Sequence, residues 1–153
     1  MHGTLINSTI NMIYWFTGQP GHGKTVLAKA LNEKHFENKA FHVDGDDLRE
    51  IFDNKDYSEE GRRKNIELAQ HISHFLNNKG ENVIVSLVSP YKDQRDMFKE
   101  KMGDNIKEIY VHTTEIRGRE NFHVADYQAP SERFIDANTT DCTPEETLNT
   151  IKL

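Results

Sequence analysis

The stretch GQPGHGKT, residues 18 to 25, follows the strand-like run MIYWFT (12 to 17) and opens a segment of helical period. Gly18, Gly23, Lys24 and Thr25 satisfy G-x-x-x-x-G-K-[ST] in the strand-to-helix setting that a phosphate-cradling loop needs. The glycines let successive backbone N–H groups curl round phosphate oxygens, and the helix N-terminus adds positive potential. Lys24 reaches the β- and γ-phosphates, and Thr25 offers its hydroxyl to Mg2+. His22, inside the loop, is expected to present only its backbone N–H. Such a loop hangs from the carboxyl end of a buried strand, so the rest of the chain has to supply a parallel sheet clothed by helices.

The remaining pattern agrees. Short runs rich in β-branched and aromatic residues recur at AFHVD (40 to 44), NVIVSLV (82 to 88), KEIYVHT (107 to 113) and RFIDA (133 to 137). Val26, Leu27, Ala30 and Leu31 give an apolar stripe from Lys24 to about Phe36, and Leu68, Ile72, Phe75 and Leu76 another from Gly61 to Lys79. Pro90 is expected to start a helix running through Arg95 to Met102. Thr143, Pro144, Glu145 and Glu146 read as a cap, a first-turn proline and favourable acids opening a last helix. The fold class is therefore α/β, in three layers, with a five-stranded parallel sheet flanked by helices.

At 153 residues there is room for one domain, read as 12 to 153, behind a polar and dispensable extension over 1 to 11. With a net charge of −6, the chain lacks the broad basic face that nucleic-acid binding requires. No run is long enough to span a membrane, no secretory leader is seen, and the single Cys142 suits a reducing cytoplasm. Among the histidines, His71 and His74 share a helix face but lack a third metal ligand, so they are expected at the surface or in packing.

What the phosphate is for depends on residues outside the loop. A GTPase would carry a base-reading Asn-Lys-x-Asp, and NKDY (54 to 57) and NKGE (78 to 81) both fail at the last position. A motor ATPase would end a strand with a metal-holding aspartate, whereas the third strand ends SLVS. Carboxylates instead follow the second strand, in DGDD from Asp44 to Asp47. Asp44 and Asp46 stand two apart at the strand end, with Arg49 within a turn. Arg62 and Asn65 share a helix face and could grip an anionic acceptor. This combination favours a small-molecule kinase.

In order along the chain, DGDDLR (44 to 49), YSEEGRRKNI (57 to 66), VSLVSPYKDQR (85 to 95) and NFHVADYQAP (121 to 130) follow the phosphate loop. This series resembles the adenylylsulfate kinases from Met12 to Leu153. The resemblance implies a P-loop kinase fold and transfer of the γ-phosphate of ATP, with Mg2+, to the 3′-hydroxyl of adenosine 5′-phosphosulfate. It gives catalytic positions at Lys24, Asp44, Asp46 and Ser89. The ATP site is Gly18, Gln19, Pro20, Gly21, His22, Gly23, Lys24, Thr25 and Val26, with Arg117. Asp46, Arg49, Tyr57, Arg62, Asn65, Val88, Ser89 and Phe122 would hold the acceptor, and Thr25 and Asp44 the metal. Tyr57, where the family usually has Phe, and Phe122 would sandwich the acceptor base. Ser89 stands where the family carries a serine described as a phosphoryl intermediate, although in-line transfer needs no enzyme nucleophile. The implied partners are small-molecule nucleotides, and a homodimer is compatible with the pattern.

Three departures surround the acceptor. Only TTEIRGREN (113 to 121) stands where the family has a longer basic lid, leaving Arg117 and Arg119 as the cations to close over the phosphates. Leu87 replaces the usual Phe, and the loop before YSEE is one residue shorter. A short lid excludes water less well and could admit another acceptor, such as a cytidine diphosphate derivative (cytidine diphosphoramidate) used in capsule building. The remaining alternative is a non-catalytic nucleotide-binding regulator.

Overall fold

The computed structural model describes residues 10–153. Most of the stretch expected as an extension, 1 to 11, lies outside the described residues. Its last part is tied down, because the Asn11 carbonyl accepts hydrogen bonds from Asn77 Nδ2 at 3.0 Å and Asn105 Nδ2 at 3.1 Å.

The chain runs β1 (Ile13–Thr17), α1 (Lys24–Phe36), β2 (Phe41–Asp44), α2 (Gly45–Ile51), α3 (Glu59–Asn78), β3 (Val83–Ser86), α4 (Lys92–Met102), β4 (Ile106–His112), β5 (Phe134–Asn138) and α5 (Pro144–Thr150). The five strands form one sheet in the order β2-β3-β1-β4-β5, each neighbouring pair parallel. β1 is central and buried throughout, and the two-residue alternation of a strand sends its large side chains to opposite faces. Tyr14 and Phe16 join Leu27, Leu31 and Leu148 beneath α1 and α5. Ile13 and Trp15 join Ile66, Ala69 and Phe98 beneath α3 and α4. Two cores on the two faces of one sheet give the three expected layers.

Because chain order reverses about β1, the loop leaving its carboxyl end opens into the crevice between the β3 and β4 sides, where open α/β sheets bind ligands. The structure adds an element missing from the sequence reading: α2 begins at Gly45, so DGDD is a helix start. Asp44 is its N-cap, accepting from the Asp46 N–H at 3.2 Å. β3 also ends earlier, at Ser86. Ser89 has φ 41°, a left-handed turn, and α4 starts at Lys92 capped by Tyr91 rather than at Pro90. Among the described residues no helix is long and apolar enough to cross a membrane.

Candidate active site

One cleft of about 810 Å³ lies over the carboxyl ends of β1, β2 and β3. At one end is the phosphate loop, of which Pro20, Gly21, Gly23, Lys24, Thr25 and Val26 line the cleft. The Lys24 ammonium donates to the Gln19 carbonyl at 2.9 Å, which folds the lysine back across its own loop. Burial pushes its pKa down to about 8, against the opposing pull of Asp46 and Asp44. At the loop's head the Thr25 hydroxyl donates to Asp44 Oδ1 at 3.0 Å, and the Ser86 hydroxyl donates to the same oxygen at 2.7 Å. His42 Nε2 lies 2.7 Å from the Ser86 hydroxyl on the far side.

No cluster of three or more His, Cys, Asp or Glu side chains forms a metal cage among the described residues. A hydroxyl and one carboxylate at the head of a phosphate loop are instead the donor set that suits Mg2+, which keeps most of its waters and shares phosphate oxygens. Thr25 and Asp44 therefore fit that ion.

The other end of the cleft is built by α2, α3 and the turn after β3. Asp46, Arg49, Tyr57, Arg62, Asn65, Val88 and Ser89 all line it, and so does Phe122 from the segment after β4. Tyr57 and Phe122 are 62% and 65% exposed on the cleft lining, which leaves ring surface for a ligand to cover. The Arg49 guanidinium lies 4.0 Å over the Tyr57 ring and donates to the Asn54 and Asp56 carbonyls, which fixes that ring's support. Asn65 donates to the Gly45 carbonyl at 3.3 Å, while its own Oδ1 is buried without a partner and is free to accept from a ligand. Arg62 reaches Asp126 at 4.0 Å.

Ser89 is differently employed. Its hydroxyl accepts from Trp15 Nε1 and donates to Thr17 Oγ1, each at 3.0 Å, and the residue is 2% exposed. Both bonds hold the turn down on β1. The Ser89 carbonyl accepts from Arg95 Nη1 at 2.7 Å. Arg95 is in turn held by Glu108 Oε2 at 2.7 Å, and Lys99 occupies the other carboxylate oxygen at 2.6 Å. All three side chains are buried, between α4 and β4.

The segment from 113 to 133 closes the cleft. Gln19 clamps it, donating to the Val124 carbonyl at 2.9 Å and accepting from the Val124 N–H at 2.8 Å. Arg117 donates to the His22 carbonyl at 3.2 Å and the Thr139 carbonyl at 2.9 Å. His22 packs edge-on against His123 at 5.0 Å, and burial, with His123 and Lys24 adding to it, lowers the His22 pKa to about 4. Tyr127 reaches Thr17 Oγ1 at 2.9 Å, and Arg95 Nη2 donates to the Gln128 carbonyl.

Four residues expected at the ATP site therefore do not line the cleft. Gly18 and Gln19 shape and anchor the loop, His22 is turned into packing, and Arg117 braces the loop through backbone carbonyls. Conversely Arg119, Asn121, His123 and Val124 line it. Arg119 carried a signal in the sequence as a lid cation, and Asn121, His123 and Val124 lie in the NFHVADYQAP stretch that carries the resemblance, although none was singled out as a site residue.

A nucleotide-cradling loop on the central strand of a parallel sheet, facing a second polar and aromatic subsite across one cleft, defines a P-loop kinase. The chain belongs to the adenylylsulphate kinase family, whose model matches residues 10–125. The adenylyl-sulfate kinase of Staphylococcus carnosus is 28% identical over 95% of this chain and 84% of that protein. That of Pseudomonas aeruginosa is 37% identical over 66% of this chain but only 54% of its own length, so here the match spans about half of the curated relative. The Mycobacterium tuberculosis APS kinase solved with AMPPNP and APS shares the fold at a TM-score of 0.76, over 92% of this chain and 95% of that one, at 23% identity.

Proposed function

We propose that the protein transfers the γ-phosphate of ATP to the 3′-hydroxyl of adenosine 5′-phosphosulfate, giving 3′-phosphoadenosine 5′-phosphosulfate and ADP. The observation that carries this reading is that one cleft is lined by Lys24, Thr25, Asp44 and Asp46 together with Arg62, Asn65, Tyr57 and Phe122. Two nucleotides laid end to end need such a site. Its relatives' shared name supplies the acceptor.

The chemistry asked of the residues is positioning and charge balance, since a transferring phosphoryl group needs little covalent help. Backbone N–H groups of residues 21 to 25 cradle the donor phosphates, and Lys24 gives up its Gln19 carbonyl to meet the β- and γ-oxygens. Thr25 and Asp44 would hold Mg2+, which would supply neutralisation of phosphate charge. Asp46 stands exposed on the first turn of α2, where it can take the proton from the attacking hydroxyl. Arg62 holds the acceptor's anionic group, Asn65 Oδ1 accepts from it, and Tyr57 with Phe122 stacks its base. Ser89 positions the floor of the acceptor subsite; its hydroxyl is spent on Trp15 and Thr17 and makes a poor nucleophile.

The test is ADP release with adenosine 5′-phosphosulfate, cytidine diphosphate derivatives and plain sugars offered in parallel. Turnover with the first supports the proposal. Turnover confined to a cytidine acceptor would move the substrate while keeping the chemistry, a result the short lid and the base-tolerant stacking pair could accommodate. Silence with every acceptor would favour a regulator.

A further inference from the structure

Six of the seven arginines in the sequence are held in place. Arg49 and Arg133 donate to backbone carbonyls, Arg62 reaches Asp126, Arg63 pairs with Glu59 and Asp93, Arg95 with Glu108, and Arg117 grips His22 and Thr139. Arg119 alone, among the described residues, has a guanidinium with no hydrogen bond and no ion pair. Like Arg117 it lies against the phosphate loop, but its own guanidinium is not spent there. Its stem presses on Gly21: a Cβ placed there would sit 2.7 Å from the Arg119 Cβ, and Gly21 has φ 81°, so only glycine lets this part of the lid come down. Arg119 lines the cleft, its charge acts on Lys24, and its guanidinium rests 5.3 Å from the centroid of the Phe122 ring.

A free, cleft-facing guanidinium beside the phosphate-loop lysine costs little to redirect. The need for it arises during transfer, when charge spreads over the three equatorial oxygens of the phosphoryl group. We propose that Arg119 is a catalytic residue, the lid cation that meets those oxygens in the transition state. This rests on the kinase reading above. In the step, the acceptor hydroxyl oxygen forms a new P–O bond as the β,γ-bridging P–O bond breaks; the bonding pair leaves with ADP, and the hydroxyl proton passes to Asp46. Arg119 donates to the oxygens that neither form nor break a bond. Arg117, two residues earlier, acts on the loop only through carbonyls and is a positioning residue.

The experiment compares wild type, Arg119→Ala, Arg119→Lys and Arg117→Ala in steady-state turnover, and measures the affinity of each for Mg-ADP with and without aluminium fluoride, a planar mimic of the transferring group. Arg119→Ala should fold normally, since its guanidinium makes no bond. It should lose about 100-fold or more in kcat, with the KM for ATP little changed, and added guanidinium ion should restore part of the rate. It should bind Mg-ADP like wild type while losing the extra affinity conferred by aluminium fluoride. The Lys variant, which keeps the charge without the fork, should fall between. Unchanged kcat overturns the proposal, as does a lost kcat that guanidinium does not rescue with aluminium fluoride affinity intact. If wild type phosphorylates no offered acceptor, the reading of the substrate fails, and the aluminium fluoride comparison still decides the role of Arg119.

Discussion

Gln19→Ala isolates the link between the phosphate loop and the lid. Gln19 sits in the loop, yet its side chain makes both of its hydrogen bonds to one lid residue, at 2.9 Å to the Val124 carbonyl and 2.8 Å from the Val124 N–H. Alanine removes both and leaves the loop backbone alone. Each bond is worth about 0.5–1.5 kcal/mol net, so the closed lid should lose about 1–3 kcal/mol relative to the open one. That corresponds to an open population about 5–150 times larger.

Amide hydrogen exchange of the apo protein measures this directly, because the Val124 N–H is itself one of the two donors. Exchange at Val124 should accelerate by that factor in Gln19→Ala, and residues 119 to 126 should follow it, whereas amides of β1 and β3 in the core should keep their protection. Gln19→Glu retains the acceptor but turns a second acceptor toward the Val124 carbonyl, so it should not restore the wild-type rate. Wild-type exchange at Val124 in Gln19→Ala would refute the clamp and show that Arg117 and Tyr127 hold the lid unaided.

Other outcomes follow from the same geometry. The free enzyme's Lys24, with its pKa pushed down to about 8, should lose its charge above that pH, so kcat/KM for ATP should fall as pH rises through 8. Between 8 and the unperturbed 10.5 the unfolded chain binds the extra proton, so this lysine's contribution to stability should rise with pH over the same window, a trend Lys24→Ala should lack in denaturant titrations. Arg62→Ala should raise the acceptor KM about 10- to 100-fold, the worth of a charge-assisted hydrogen bond, while leaving the KM for ATP unchanged. Glu108→Gln leaves Arg95 and Lys99 buried without their carboxylate and should cost about 3–5 kcal/mol in urea unfolding; an unchanged midpoint would mean that the surrounding carbonyls suffice.

The parts of this site that were readable from sequence are those whose chemistry is local. The phosphate loop declares itself because its cradle needs a strand, its glycines and a helix start within a few consecutive residues. The second strand's acids were readable too, but α2 was not. Its cap residue Asp44 and first-turn acids Asp46 and Asp47 were present as signals, yet only Gly45 and Leu48 are buried, too few to show a helical period. Gly45 is required for a reason no local pattern contains: a Cβ there would lie 2.6 Å from the Leu87 Cβ, on another strand's exit. Arg95, Lys99 and Glu108 gave no sequence signal of burial. Spaced charges on a helix suggest a solvated face, and only the docking of α4 on β4 turns them into a buried cluster.

The lid brings the two kinds of information together. By length, TTEIRGREN suggested a cover that excludes water less well, with Arg117 and Arg119 as its cations and Arg117 alone placed at the ATP site. The fold separates them, since Arg117 is consumed by the His22 and Thr139 carbonyls and Arg119 is left free above Gly21. It also changes what shortness means. The segment is pinned at Val124 by Gln19, at Tyr127 by Thr17 and at Gln128 by Arg95, so its ties reach the phosphate loop, the end of β1 and α4. Arg95 also holds the Ser89 carbonyl, and through it one guanidinium joins the lid's far end to the turn after β3. A short cover bound at three points closes by small adjustment rather than by folding over, and discrimination among acceptors then falls to the residues it presents, Arg119 to Val124, opposite Tyr57 and Arg62.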